Sequence, residues 1–226
     1  MNDLQSLDRS FDRLSIKYDI EKIIKFQSIY RGYMLRAKQL PLIMYKIKKY
    51  LENYTINFSY QTLDGRINSF LDEEKIISLL NEKFDKKIIK PKLRMWYDFL
   101  ALDYIYGWIP INIKTTTMKT NDNVGNLAMC VYAYTDVKLD INRFYDNKKM
   151  SDLLIEKLQN KKYNKIHKKD YYFIVLNKNK PSEIIVNSVN GLTYLTPNLN
   201  NLPFQVRWNK NKFFNYDIIQ KKSNYL

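Results

Sequence analysis

The sequence predicts an α/β (α+β) fold in which a central mixed sheet is flanked by helices. Segments of helical period open the chain, whereas aromatic and β-branched runs of strand length follow in the middle and near the end, separated by further helical segments. This order favours a layered domain of helices on a sheet. A chain of 226 residues, 45% of them hydrophobic, is long enough for one globular core with an extension.

Two basic helices are predicted first. DIEKIIKFQSIYRGYMLRAKQL, which starts at Asp19, has apolar residues at helical spacing, and PLIMYKIKKYLEN restarts that pattern at Pro41, where a first helical turn tolerates proline. The polar segment TINFSYQTLDGRINS then predicts a loop. We therefore expect a basic helical extension over residues 1–56 and a second domain over residues 57–226.

The third predicted helix, LDEEKIISLLNEKF, places Glu73 on the same face as Ile76, Ile77 and Leu80. A carboxylate on an apolar, inward face is costly unless a cation meets it. Glu73 is therefore a candidate functional residue, more so than its neighbour Glu74.

A β-hairpin is predicted next. RMWYDFLALDYIY and WIPINIKTTT are rich in aromatic and β-branched residues and are separated around Gly107, as expected for adjacent antiparallel strands. In such a pair Asp98 can face Asn112. Because strand side chains alternate between faces, Lys114 projects on the same side as Asn112, and the isoleucines between and before them face the core.

The remaining segments predict two helices and three strands. TNDNVGNLAMCVYAYT is typical of a polar loop that leads into an apolar helix capped by Asp122 or Asn123, and SDLLIEKLQNKK predicts a helix capped by Ser151. DYYFIVLNKNKPSEIIVNSV predicts two strands about a proline-containing turn, and LPFQVRW predicts a last short strand.

Charge and composition narrow the function. The chain has 38 Lys and Arg against 23 Asp and Glu, a net charge of +15. This charge favours a polyanionic partner, first of all nucleic acid, although a solvated Lys-rich surface would have the same composition.

A single cysteine, Cys130, excludes an intrachain disulfide and a cysteine-built zinc site. The lone His167 argues against histidine-based sites, and no Gly-rich phosphate loop is present. With no apolar run of ~20 residues, we expect a soluble intracellular protein, in cytoplasm or nucleus, with no membrane contact.

The hairpin residues suit phosphodiester hydrolysis. That reaction needs hard oxygen ligands for a divalent cation close to the scissile phosphate, and Asp98 and Asn112 can supply them. Lys114 can orient or help to deprotonate the attacking water and offset charge at phosphorus. The alternative is a structural ion pair between two strands.

YDF followed by PINIKTTT resembles the D…(D/E)xK active-site hairpin of the PD-(D/E)xK nucleases, especially type II restriction endonucleases. TNDNVGNLA is similar to the turn and helix that follow this hairpin in some members, and TPNLNNLPFQVRW looks like their C-terminal segment. The resemblance implies a restriction-endonuclease-like core that cuts double-stranded DNA at a short specific sequence, with a homodimer where both strands are cut symmetrically. It also implies Mg²⁺ held by Asp98, Asn112 and Glu73, with Lys114 as the catalytic lysine.

Asn112 departs from the family pattern, in which most members have Asp or Glu at this place. Losing a negative charge should weaken metal affinity, yet an amide oxygen can still be a metal ligand. A catalytically degenerate DNA-binding module is therefore the alternative to an active nuclease.

Polar residues after the hairpin and near the C-terminus are candidates for contacts to phosphates and base edges, although ordinary loop polarity explains them equally well. They are Thr115, Thr116, Thr117, Lys119, Asn121, Asn123, Gln205 and Arg207.

FQSIYRGYMLR, from Phe26 to Arg36, resembles an IQ motif, which implies a calmodulin-like partner around a basic amphipathic helix. The alternative is a basic helix that packs on the core or touches DNA phosphates. The excess of Asn, Lys, Ile and Tyr is typical of AT-rich genomes, such as those of many large DNA viruses and bacteria.

Overall fold

The computed structural model describes residues 40–59, 65–92, 95–124, 126–164, 169–197, 204–212 and 214. The chain divides into two units, Met1–Gln39 and Leu40–Leu226. The first predicted helix, the IQ-like motif from Phe26 to Arg36 and His167 lie outside the described residues. All that follows concerns the second unit.

The described helices are α1 (Leu42–Glu52), α2 (Gly65–Phe84), α3 (Leu127–Tyr134) and α4 (Asn147–Gln159). Single 3₁₀ turns span Asp85–Lys87 and Trp208–Lys210. Helix α2 begins earlier than predicted, within the segment expected to be a loop. No helix of the described part combines the length and the apolar character needed to cross a membrane.

Two helix caps differ from the predicted ones. Asn126 caps α3, its side chain accepting from the Met129 N–H at 2.8 Å, and Asp146 caps α4 in the same way. The predicted caps Asp122 or Asn123 and Ser151 are therefore wrong. Asp122 and Asn123 lie in a short strand, and Ser151 lies inside α4, because both helices begin at different residues than the apolar pattern indicated.

The main sheet has five strands in the order β1-β2-β3-β5-β6. The strands are β1 (Ile88–Ile89), β2 (Phe99–Asp103), β3 (Gly107–Thr116), β5 (Tyr172–Asn177) and β6 (Lys180–Ser188). Neighbours are antiparallel except β3 and β5, which are parallel, so the sheet is mixed. A small second sheet has the order β4-β8-β7, built from β4 (Asp122–Val124), β7 (Leu195–Pro197) and β8 (Phe204–Val206).

Helices cover both faces of the main sheet. One face, with Ile111, Ile113 and Ile174, packs against α1 and the apolar side of α2. The other face, with Phe173 and Val175, packs against α3, α4 and the inner side of the small sheet. The predicted α+β class, a mixed sheet flanked by helices, is confirmed.

The second unit begins before the predicted boundary at residue 57. Met44, Ile47 and Leu51 of α1 are fully buried against the main sheet. The N-terminus of α1 is also held from outside the helix, since the Ile43 N–H donates to Asp103 Oδ2 at 3.1 Å. The apolar face of α1 thus makes this basic helix part of the core rather than of an extension.

Candidate active site

The candidate site lies where β2 departs from β3. The pairing runs from Asp103 opposite Gly107 to Phe99 opposite Ile111 and confirms the predicted hairpin. Asp98 continues it by one residue, because its N–H donates to the Ile111 carbonyl at 2.9 Å. The next β3 N–H, that of Ile113, donates instead to Asp98 Oδ2 at 2.7 Å. A carboxylate has taken the place of a backbone acceptor, and Asp98 lies opposite Asn112 as predicted.

Asn112 and Lys114 lie on one face of β3, and Ile111 and Ile113 are fully buried on the other. Burial raises the pKa of the neighbouring Tyr171 phenol well above its usual value, and a hydrogen bond with the Asn112 side chain lowers it in part. The Asn112 Oδ1 is buried without a hydrogen-bond partner.

Glu73 projects from α2 towards the same place. Burial raises its pKa to about 7, with Asp98 adding to the rise and Lys114 and Lys178 opposing it. Ile76, which follows it on the helix, is fully buried in the core. Glu73 therefore sits at the border of the apolar face, next to the charges of the hairpin, as its position in the sequence indicated.

Asp98 responds to the same surroundings. Burial raises its pKa to about 6, whereas Lys114 and the hydrogen bond from the Ile113 N–H lower it. Lys114 thus acts electrostatically on both Asp98 and Glu73. These are the conditions under which carboxylates titrate near neutral pH, and they are common at functional sites.

Asp122 is a further acid that the sequence analysis treated as a helix cap. It lies in β4, and its Oδ2 is buried without a hydrogen-bond partner. Burial raises its pKa, and Thr116, Lys114 and Trp208 lower it. Lys114 therefore acts on three acids. The signal that could have found Asp122 is its place in the polar run TNDN, a few residues after β3.

An open cleft of about 330 Å³ lies beside Glu73, Lys114 and Asp122. Its walls are Ser69, Phe70, Glu73, Lys114, Thr115, Asp122 and Asn123. Helix α2, the end of β3 and strand β4 thus meet around Lys114.

Lys178 is a second lysine that sequence reasoning missed. Its Nζ lies 3.0 Å from Asp72 Oδ2, in an ion pair whose side chains are 11% and 1% exposed. Its backbone N–H donates to the Thr116 carbonyl at 2.9 Å. Asp72 in turn accepts from the Ser59 N–H at 2.6 Å. Lys178 therefore ties the end of β3 to α2, one residue from Glu73.

The predicted DNA-contact residues divide into two sets. Thr115 and Thr116 are buried, and the Thr116 hydroxyl already accepts from the Met118 N–H at 3.1 Å. The others face solvent fully or in part, on the loop after β3 and on the small sheet. They are Thr117, Lys119, Asn121, Asn123, Gln205 and Arg207.

The donor set can be compared with the needs of a divalent cation. Within the described residues no three His, Cys, Asp or Glu side chains cluster as a metal site. Mg²⁺, however, is commonly held by one or two carboxylates and keeps several waters. Asp98, Glu73 and the unpartnered Asn112 Oδ1 are hard oxygen donors of this kind. They fit a partly hydrated Mg²⁺ better than a fully protein-ligated ion.

No protein-family model matches the chain, and no curated protein matches it.

Proposed function

We propose that the chain is a metal-dependent endonuclease that hydrolyses phosphodiester bonds of double-stranded DNA, in the manner of a type II restriction endonuclease. The observation that carries the proposal is the position of Lys114 among Asp98, Glu73 and Asp122 at the edge of an open cleft. One cation facing several partly buried acids suits a reaction that handles water, a metal ion and phosphate together.

Each residue has a distinct role in this proposal. Asp98, Asn112 and Glu73 would hold Mg²⁺, which supplies Lewis-acid stabilisation of charge at the phosphate. Lys114 orients the attacking water and offsets negative charge at phosphorus.

The charge of the whole chain supports a nucleic-acid substrate. A net charge of +15 attracts the phosphate backbone, a contribution that is independent of sequence and falls as salt rises. Cutting both strands symmetrically would require two copies of the site, and hence a homodimer.

Cleavage of varied duplex DNA tests the proposal. The wild-type chain should produce discrete fragments with Mg²⁺ or Mn²⁺, and Asp98→Ala and Lys114→Ala should abolish them because each removes a charge from the site. Matched controls are Asp152→Ala and Lys148→Ala, whose exposed side chains lie on α4 and should leave cleavage unchanged. Templates with and without base methylation cover the case in which modification blocks the site.

A non-cleaving DNA-binding module is the second candidate, and the uncharged Asn112 is the observation that favours it. The variant Asn112→Asp restores a carboxylate to that place. Cleavage by Asn112→Asp together with binding but no cleavage by the wild type would establish the degenerate module and refute the nuclease.

A further inference from the structure

The small sheet carries a row of polar side chains on its outer face. In its register Asn123 of β4 lies opposite Gln205 of β8, which lies opposite Thr196 of β7. The neighbouring residues Phe204 and Val206 point inward and are buried. A three-stranded sheet with one apolar face in the core therefore offers the other, polar face to solvent.

The polar row is ordered by hydrogen bonds between its own side chains. Gln205 Nε2 donates to Asn123 Oδ1 at 2.9 Å, and Asn121 Nδ2 lies 3.5 Å from Thr196 Oγ1. We call Asn121, Asn123, Thr196 and Gln205 the amide row. Asn121, Asn123 and Thr196 are exposed, and Gln205 is half-buried. A carboxamide has two donor hydrogens and an oxygen that accepts twice, so its bond to Asn123 leaves further bonding capacity in the Gln205 amide.

The amide row adjoins the candidate active site. Asn123 lines the same cleft as Glu73 and Lys114. Since neighbouring strands are about 4.8 Å apart, a row across three strands spans roughly 10 Å, which matches a major groove about 12 Å wide. A sheet that enters the groove beside the cleft would bring a phosphate near Lys114 at the same time as base edges meet the row.

Amide side chains have a preferred partner among the bases. Asn and Gln bond adenine in the major groove with both a donor and an acceptor, to N7 and the N6 amine. A Thr hydroxyl can either donate or accept a hydrogen bond. We infer that the amide row is the base-reading surface of this protein and recognises at least one A·T pair in the major groove, an inference that rests on duplex DNA being the substrate in the proposed function.

Arg207 and Lys119 supply the charge that this surface needs. Arg207 follows Gln205 by two residues with extended backbone dihedrals, φ −99° and ψ 100°, so its side chain leaves the same face of the sheet. Both cations are exposed. Cationic side chains around a row of amides are suited to phosphates on either side of a groove.

Selection of binding sites tests the inference separately from cleavage. The full-length Asp98→Ala chain, which should not cut, is equilibrated with randomised duplexes, and the bound fraction is sequenced. We expect a short motif that contains an A·T pair. Loss of preference at that pair by roughly 10- to 100-fold is expected in Gln205→Met, which keeps the length of the side chain but not its amide. Lys119→Ala should instead lower binding to all sequences alike.

A modified base locates the contact in the groove. Replacing the preferred adenine by 7-deazaadenine removes the N7 acceptor, which only the major groove exposes. The chain with an unchanged amide row should bind the 7-deazaadenine duplex more weakly than the adenine duplex. The Gln205→Met variant, which already lacks the amide, should show no further loss of affinity with the modified base. An enriched motif without an A·T pair, no enrichment, equal binding to single strands, or unchanged affinity for 7-deazaadenine would each overturn the inference, whether or not the wild type cleaves DNA. Thr196→Val changes the amide row at its opposite edge. It is a second, independent variant in case Gln205→Met does not fold.

Discussion

Glu73 is half-buried in the wall of the cleft, where neighbouring charges act on its carboxylate. Burial raises its pKa from 4.5 to about 7, and Lys114 opposes that rise only in part. The folded chain therefore binds the Glu73 proton more tightly than the unfolded chain does. Between these two pKa values the free energy of unfolding must fall as pH rises, because the folded state holds more protons.

The variant Glu73→Gln should remove this pH dependence. Relative to the wild type, its free energy of unfolding should rise between pH 4.5 and 7 and be roughly 1–2 kcal/mol higher at pH 8, after allowance for solvent screening of a partly exposed group. Urea unfolding at pH 4.5 and pH 8 measures the difference. Glu82→Gln, on the exposed side of the same helix, is the control. An equal effect of Glu73→Gln at both pH values would contradict the expectation.

At the scale of single residues, the sequence analysis could place the residues that lie on strongly patterned elements. Strand alternation predicted that Asn112 and Lys114 share a face, and helical period predicted that Glu73 lies beside the apolar face of its helix. Asp122 and Lys178 could not be found in this way, because each takes part in the site through contacts between elements distant in the chain. No local period records such contacts.

At the scale of elements, length decides which parts of the fold are visible in the sequence. The longer strands β2, β3, β5 and β6 appear as apolar and β-branched runs, whereas β4 and β7 have three residues each and show no period. The turn between β2 and β3 was predicted from Gly107, whose φ of +70° is a conformation that favours glycine.

Substitution of Gly107 measures how firmly this turn sets the hairpin. Gly107→Ala should lower the free energy of unfolding by about 1 kcal/mol, since its left-handed backbone conformation strains a residue with a Cβ, and Gly107→Asn should cost less. No heavy atom lies within 4 Å of the added Cβ, so crowding does not contribute. Tyr104→Ala, in the same turn and 96% exposed, is the control. Equal losses for the Ala and Asn variants would exclude backbone strain as the cause.

At the scale of the whole molecule, both faces of the main sheet are covered, and α1 is part of that cover. The sequence predicted the class because helical and strand runs follow each other in order. It assigned α1 to an extension because the helix is basic, yet Met44, Ile47 and Leu51 on its inner face are fully buried. Asp103, itself 2% exposed, depends on α1 for the N–H of Ile43. Removing α1 would expose one apolar face of the sheet to water. It would also deprive the buried Asp103 carboxylate of one hydrogen-bond donor.

Truncation tests where the folding unit begins. A chain that starts at Leu40 should unfold cooperatively in urea, whereas one that starts at Asn57 should lose that cooperativity, because three fully buried side chains of α1 are gone. Within the chain from Leu40, Ile47→Asp should imitate the shorter chain, and Tyr45→Asp, at a position 62% exposed, should not. Equal urea midpoints for the two truncated chains would place the boundary at residue 57 after all.

The parallel pairing of β3 with β5 also bears on how the protein is made. Ile111 pairs with Tyr172, which is synthesised 61 residues later, so β3 lacks this neighbouring strand until then. At about 5–20 residues per second, the nascent chain emerging from the ribosome keeps that apolar strand edge unpaired for roughly 3–12 seconds. Such an edge invites pairing with other chains and attracts chaperones. The arrangement also means that an incomplete polypeptide lacks the assembled sheet on which the candidate site stands, and that this site is complete only after β8, the partner of the strand with Asp122, has been synthesised.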